Sequence, residues 1–146
     1  MQKAELKKLR FFYLDQAFHF PARSRLKHFL LELFKSEGLS VEAVNYIFCS
    51  DRFLLDINQS HLHHNTLTDI ITFQYSPPGE AVLSDIYISI ERVKENAEIF
   101  QVGFLDELYR VMFHGALHLC GYKDKSKNDI RRMRAAEDKY LTKYKA

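Results

Sequence analysis

The stretch His114-Gly-Ala-Leu-His118-Leu-Cys-Gly121-Tyr-Lys-Asp124 carries the most information about fold and chemistry in this 146-residue chain. It closes an apolar segment whose hydrophobic residues recur at helical spacing, which predicts a helix that begins after Gly103 and ends at Gly121. Histidines four residues apart project from one face of a helix, one turn apart, so two imidazoles can share a metal ion. The stretch therefore predicts both a buried helix and a candidate site at its end.

A third ligand follows the predicted end of this helix. Gly121 turns the chain out of the helix, so that the carboxylate of Asp124 can return to the same ion. Two imidazoles and one carboxylate leave a fourth position open for water, which is typical of catalytic rather than structural zinc. We predict one Zn²⁺ per chain, held by His114, His118 and Asp124. The His-x-x-x-His spacing taken alone also fits a hydrogen-bonded or solvent-facing pair of histidines.

The ligand spacing is that of the metzincin proteases, in which a glutamate after the first histidine serves as the general base. Here that position is Gly115. A protease without this base lacks its means of activating water, so the sequence argues against peptide hydrolysis. We expect Gly115 to permit close packing or close approach of a substrate.

Outward from this stretch, the hydrophobic pattern predicts an α+β fold in a single domain over residues 1–146. The ligand spacing shared with the metzincins adds the expectation that this fold is zincin-like. The predicted mixed sheet has about four strands, packed with about five helices. The strands are expected at 11–14, 41–50, 69–75 and 81–88, and the helices at 21–38, 51–59, 92–100, 103–121 and 126–144. A Ser-Pro-Pro-Gly turn at 76–79 predicts that the last two strands pair antiparallel.

The composition excludes several classes of protein. The chain is 47% hydrophobic and 27% charged, which excludes a disordered chain. No uncharged run is long enough for a membrane-spanning helix. The N-terminal segment is basic, and Asp15 interrupts its short apolar run, so we expect no signal peptide and a cytoplasmic protein. Cys49 and Cys120 are expected to be free, buried thiols.

The net charge of +2 hides a segregation of charge along the chain. Residues 1–30 carry seven Lys and Arg against two acidic residues, residues 31–121 carry five against thirteen, and residues 122–146 carry nine against four. Basic ends around an acidic centre indicate a polyanionic partner such as a nucleic acid. Lysine-rich solvated helix faces are the alternative explanation.

The stretch at 114–124 resembles the hallmark of the endoribonuclease YbeY family, H-G-x-L-H-L-x-G-Y-D-H. The resemblance extends upstream in the same order. The segment Thr68-Asp-Ile-Ile-Thr-Phe73 is similar to the family's T-D-V-L-S-F strand, and Ser84-Asp-Ile-Tyr-Ile-Ser89 is similar to its G-D-I-x-I-S strand. Asn58 stands where the family has an asparagine before a loop. The matches cover residues from about 55 to 125.

The resemblance implies a single-strand-specific, metal-dependent endoribonuclease. It further implies a role in maturation of the 3′ end of small-subunit rRNA and in ribosome quality control, with rRNA and the small ribosomal subunit as partners. Zinc would assist hydrolysis of the phosphodiester bond. The alternative is a non-catalytic ribosome-assembly factor in which the zinc ion only holds the last two helices together.

The chain departs from the family at two positions. The family's third ligand is usually histidine, whereas position 124 is aspartate, also a competent zinc ligand. The family commonly has a phosphate-contacting arginine where this chain has Leu62. His63, His64 or Arg52 could substitute for it, or the histidines could be incidental residues of an exposed loop.

Further candidate residues lie on the last helix and at the strands. Arg131, Arg132 and Arg134 are predicted to bind the RNA backbone without reading its sequence, or else to form a solvated face. No general base is evident in the sequence. Asp69 and Asp85 fall close to the expected site, but such aspartates more often belong to turns and caps.

Overall fold

The structure is a computed structural model that describes residues 3–14, 18–62 and 68–146. Over these ranges the chain forms six helices and four strands, in the order α1, β1, α2, β2, α3, β3, β4, α4, α5, α6. The strands are β1 (Leu9–Tyr13), β2 (Val41–Cys49), β3 (Ile70–Gln74) and β4 (Val82–Ser89). The helices are α1 (Lys3–Leu6), α2 (Arg23–Ser36), α3 (Asp51–Leu62), α4 (Ile90–Phe100), α5 (Phe104–Leu119) and α6 (Lys127–Lys145).

The four strands form one mixed sheet in the order β1-β2-β4-β3. β1 pairs parallel with β2, and β2 pairs parallel with β4. β3 lies at the edge and pairs antiparallel with β4, with Ile70 opposite Ile88. This hairpin confirms the antiparallel pair expected from the Pro-Pro-Gly turn. The mixed sheet confirms the predicted α+β fold, although the sequence did not show which strands pair parallel.

The main hydrophobic core lies between one face of the sheet and helices α2, α5 and α6. Alternate residues of the strands enter it, among them Tyr46, Phe48 and Ile86, each fully buried. The hydroxyl of Tyr46 donates a hydrogen bond to the carbonyl of Met112, 2.8 Å away, and so joins β2 to the middle of α5. A smaller cluster under α3, which includes Leu54 and Ile71, covers part of the opposite face. The sheet and α5 therefore form one packed unit.

Most predicted elements agree with the observed ones. The short helix α1 was not predicted, and the other differences lie at the ends of elements. β1 begins at Leu9, two residues before the predicted strand, and α3 continues to Leu62, beyond its predicted end at about residue 59. The predicted polar loop at 60–68 thus includes the last turn of α3, and its residues 63–67 lie outside the described ranges. Ser50 accepts a hydrogen bond from the backbone N–H of Phe53, as expected for the cap of α3.

The two cysteines remain free thiols, as the sequence predicts. Cys49 is buried and Cys120 is partly buried. Burial raises the pKa of each thiol to about 12, so neither is an activated nucleophile. None of the helices in the described ranges is both long and apolar enough to span a lipid bilayer.

Candidate active site

The two predicted metal-binding histidines lie on the exposed edge of α5. Most of this helix is buried, but the side chain of His114 is 26% exposed and His118 lies in solvent. Gly115 faces the sheet instead. A Cβ atom at this position would lie 2.9 Å from Cδ1 of Ile70 and 3.2 Å from Cγ2 of Ile86. Close packing against β3 and β4 therefore explains this glycine, and the position has no room for a protease's glutamate.

The turn after α5 brings Asp124 back to the first histidine. Gly121 has a φ of +101°, in the left-handed region that favours glycine. The N–H of Tyr122 bonds to the carbonyl of Leu117 and the N–H of Gly121 to that of His118, which is the Schellman arrangement. The chain then reverses, and Oδ2 of Asp124 lies 3.5 Å from Nε2 of His114.

The three predicted ligands line one shallow cleft, which we call the histidine cleft. His114, His118 and Asp124 share it with Thr68, Asp69 and Thr72 at the start of β3. Within the described part of the chain, however, no three His, Cys, Asp or Glu side chains lie close enough together to hold a metal ion. The structure thus brings His114 and Asp124 into contact and places His118 in the same cleft.

The hydrogen bonds of the two imidazoles fit the chemistry of a zinc site. Nδ1 of His114 lies 2.7 Å from Oε2 of Glu137, and Nδ1 of His118 lies 3.2 Å from the carbonyl oxygen of Tyr122. Metal-binding histidines commonly donate one ring N–H to a carboxylate or carbonyl, which leaves the other nitrogen free for the ion. With Nδ1 as donor, each Nε2 is the free nitrogen, and His114 presents it to Asp124. The donor set therefore fits Zn²⁺.

Glu137 of α6 connects this histidine to two arginines. Its side chain is only 7% exposed, and besides His114 it pairs with Arg110 at 3.1 Å and Arg134 at 3.6 Å. Burial lowers the pKa of His114, but the hydrogen bond to Glu137 and the charges of Glu137, Asp124 and Asp69 together outweigh burial, so that the pKa is raised. Arg110 also binds Asp138 at 2.7 Å, which keeps its guanidinium occupied. Glu137 thus fixes the orientation of His114 relative to α6.

A second cavity opens beside the histidine cleft, between α4, α5 and α6. This side cavity has a volume of about 270 Å³ and shares Asp69, His114 and Asp124 with the cleft. Its wall also includes residues of all three helices, among them Asn96, Phe100, Glu107, Ile130 and Arg134. The two openings adjoin each other, since they share Asp69, His114 and Asp124.

Two carboxylates in this site are held in an environment that favours their neutral form. Burial raises the pKa of Asp69, and the nearby His114 opposes this only in part. Burial also raises the pKa of Glu107, which the charge of Asp69 reinforces and that of Arg110 opposes. Perturbed carboxylates inside a cavity are typical of functional sites.

The predicted substrate-binding residues fall in different places. Arg134 lines the side cavity, and its side chain is 57% exposed. Arg132 lines a separate pocket at the turn after α5, and Arg131 donates to Asn128 on the outer surface of α6. His63 and His64 lie outside the described residues. Of the three arginines, only Arg134 belongs to the site.

Two further residues that the sequence suggested are also separated by the structure. Arg52, a possible substitute for the family's loop arginine, lies on α3, where it pairs with Asp56 at 3.3 Å and lines neither opening of the site. Asp85 accepts hydrogen bonds from Asn45 and Tyr75, each at 3.0 Å, and does not line the site either. Asp69 does.

Sequence reasoning missed Glu107, Arg110 and Glu137. Glu107, Arg110 and His114 are spaced three and four residues apart, the spacing of one helix face, so a search outward from His114 could have found the first two. Glu137 had no such signal, because it lies 23 residues from its partner on another helix.

Comparisons with known proteins identify the family of the chain. A sequence model of the family described as Endoribonuclease YbeY matches residues 15–145. Endoribonuclease YbeY of Flavobacterium psychrophilum is 58% identical over 106 residues, which cover 73% of this chain and 75% of the relative. That of Cytophaga hutchinsonii is 44% identical over 132 residues, covering 90% and 92%. The solution structure of TM1509 from Thermotoga maritima is similar with a TM-score of 0.66 and 28% identity, over 93% of this chain and 88% of that one.

The mixed sheet and its helices define an α+β protein with an open site lined by histidines, carboxylates and arginines. The family matched over nearly the whole chain makes the assignment specific. The chain belongs to the endoribonuclease YbeY family, whose name gives RNA as the substrate and hydrolysis of its internal phosphodiester bonds as the reaction.

Proposed function

We propose that the chain is a zinc-dependent endoribonuclease specific for single-stranded RNA. It acts in the cytoplasm on the 3′ end of small-subunit rRNA during maturation and ribosome quality control. The observation that carries the zinc dependence is the pair of imidazoles whose Nδ1 atoms each face an oxygen acceptor, with Asp124 at 3.5 Å from Nε2 of His114.

The residues in and around the histidine cleft have different roles in this proposal. His114, His118 and Asp124 would hold Zn²⁺, and Glu137 keeps the His114 ring in the orientation that presents Nε2. When bound, zinc lowers the pKa of a water molecule and offsets negative charge on the phosphoryl oxygens. Arg134, largely exposed at the mouth of the side cavity, binds a phosphate of the RNA backbone.

Substrate selection follows from the shape of the site. Single-stranded RNA exposes its bases to a protein, whereas a duplex keeps them stacked and paired. The cleft and the side cavity adjoin and share lining residues, so a flexible strand can contact both openings. We expect cleavage of unpaired RNA and little cleavage of the same sequence in a duplex.

Four variants test this proposal in an assay of labelled RNA in single-stranded and duplex form, with zinc and with a chelator. His118→Ala and Asp124→Ala should remain folded, bind less zinc and lose cleavage. Asp124→His, which introduces the ligand usual in the family, should retain zinc and activity. His19→Ala removes an exposed histidine outside the cleft and should behave as wild type.

Several results would overturn the proposal. Cleavage that survives complete removal of metal would refute zinc dependence. Equal cleavage of the two RNA forms would refute strand specificity. If wild type binds rRNA without cleaving it, and loss of zinc unfolds the protein, the non-catalytic assembly factor with structural zinc is the correct description.

A further inference from the structure

Glu107 is a buried carboxylate that the proposed mechanism does not use. The residue is 6% exposed and lines the side cavity. Its carboxylate makes no hydrogen bond or ion pair with any residue that the structure describes. The carboxylate oxygens are not among the buried side-chain atoms that lack a partner, so they remain accessible from the cavity and can accept a hydrogen bond there. A ligand that brings an N–H donor into the cavity would supply the missing partner.

The rim of the same cavity carries apolar side chains that remain in solvent. Phe100 is 55% exposed and Ile130 is 52% exposed. They stand on α4 and α6, on two sides of the opening, and Met133 lies on its wall. Aromatic side chains of this kind provide stacking surfaces for unpaired bases in proteins that bind single-stranded nucleic acid.

The size and charge of the side cavity indicate which part of a nucleotide it can bind. The volume of about 270 Å³ lies just below the range of roughly 300–1,000 Å³ typical of drug-sized ligands, so the cavity suits one planar ring system. Acidic side chains outnumber arginines on the wall, with Asp69, Glu107, Asp124 and Glu137 against Arg110 and Arg134, so a neutral base enters more readily than a phosphate. Asn96, whose side-chain amide has no hydrogen-bond partner among the described residues, offers a further polar contact.

We propose that the side cavity binds the base of a nucleotide next to the cleaved phosphate and prefers a base with an exocyclic amino group. The amino N–H donates to the carboxylate of Glu107, and the ring lies against Phe100. This inference rests on the proposed function, since His114 and Asp124 border both the histidine cleft and the side cavity. A strand held in the cleft thereby has its neighbouring base at the cavity.

Binding of cytidine and uridine oligomers tests the preference directly, because the two bases differ at C4 by an amino group against a carbonyl oxygen. The probes are fluorescein-labelled homopolymers of about 12 nucleotides, within the range of single-strand sites. Affinity is measured by anisotropy with the full-length protein at low temperature, and gels confirm that the probes stay intact. We expect the cytidine oligomer to bind at least about fivefold more tightly, as a hydrogen bond to a charged group allows.

Three variants separate the two contacts. Glu107→Gln should bind both oligomers within about twofold of each other, because an amide both accepts and donates. Phe100→Ala should weaken binding of both by roughly tenfold, the magnitude of a lost stacking contact. Ile99→Ala is the matched control, since Ile99 is 64% exposed beside Phe100 but does not line the cavity, and it should bind as wild type.

Equal affinity of wild type for the two oligomers overturns the preference, and this comparison needs no variant to fold. Equal binding by Phe100→Ala and Ile99→Ala overturns the base-binding site. If wild type still cleaves RNA in either case, the proposed function stands and only the side cavity has another role. If wild type neither binds nor cleaves RNA, the proposed function fails together with this inference.

Discussion

At the residue scale, Glu137 is the side chain on which the orientation of His114 depends. Replacement by glutamine keeps its size but removes the charge that faces Nδ1 of His114 at 2.7 Å. Loss of such an outer carboxylate typically weakens metal binding by about 10- to 100-fold. We therefore expect Glu137→Gln to raise the Kd for Zn²⁺ by roughly that factor, measured by competition with a chromogenic chelator.

Asp138→Asn is the control for this measurement. It also removes a carboxylate that pairs with Arg110, at 2.7 Å, but it makes no contact with either histidine. Its zinc affinity should equal that of wild type. An equal loss of affinity in both variants would show that Glu137 acts only through the general packing of α5 against α6.

Gly115 provides a second test at this scale. In Gly115→Glu the side chain would be forced against Ile70 and Ile86. Overpacking costs about 1–3 kcal/mol and a buried unpaired carboxylate adds to it, so we expect the free energy of unfolding to fall by at least about 3 kcal/mol in urea titrations.

Gly115→Ala is the matched comparison for that variant. Its single methyl group meets Cδ1 of Ile70, the free end of a flexible side chain, and alanine gains about 1 kcal/mol of helix propensity over glycine. Its free energy of unfolding should stay within about 1–2 kcal/mol of wild type. Equal stability of the glutamate and alanine variants would contradict the packing argument.

At the element scale, the sequence predicted the helix ends, which depend on residues that are close in the sequence. The end of α5 at Gly121 and the start of α6 at Ser126 follow from backbone geometry and side-chain caps within a few positions, and the structure has a Schellman turn and a capping box there. The sequence did not show which strands of the mixed sheet pair parallel, nor did it show the contact of Glu137 with His114. Both join residues far apart in the sequence, where hydrophobic periodicity carries no information about partners.

The arginines of α6 lie at different openings, so we expect only some of them to bind RNA. Arg134 faces the side cavity, whereas Arg132 lines a pocket on the other side of the turn. For single-stranded RNA, each phosphate contact contributes about 0.7 to the slope of log K against log salt. Arg134→Ala should therefore reduce that slope by roughly 0.7, measured by anisotropy across a salt series. Arg132→Ala, the control, should leave the slope unchanged, and equal slopes for both variants would remove Arg134 from the binding site.

At the scale of the whole molecule, the site lies on a core that is complete without it. Helix α6 contributes Met133, Tyr140 and Tyr144 to the main core, and α5 contributes Tyr109 and Phe113. The rings of Tyr109 and Tyr144 lie 4.9 Å apart. The packing of the last two helices is thus apolar and aromatic, and the polar residues of the site occupy its edge.

Removal of zinc should consequently abolish cleavage while the fold persists. A ligand that binds only the folded state at 100 times its Kd adds about 2.7 kcal/mol to the free energy of unfolding, and chelation removes no more than this contribution. We expect the helical circular dichroism of the chelated protein to match that of the zinc-loaded protein, with a lower Tm and no cleavage of single-stranded RNA. Restored zinc should restore both the Tm and the activity. Loss of helical signal on chelation would instead mean that the ion, and not the aromatic packing, holds α6 against α5.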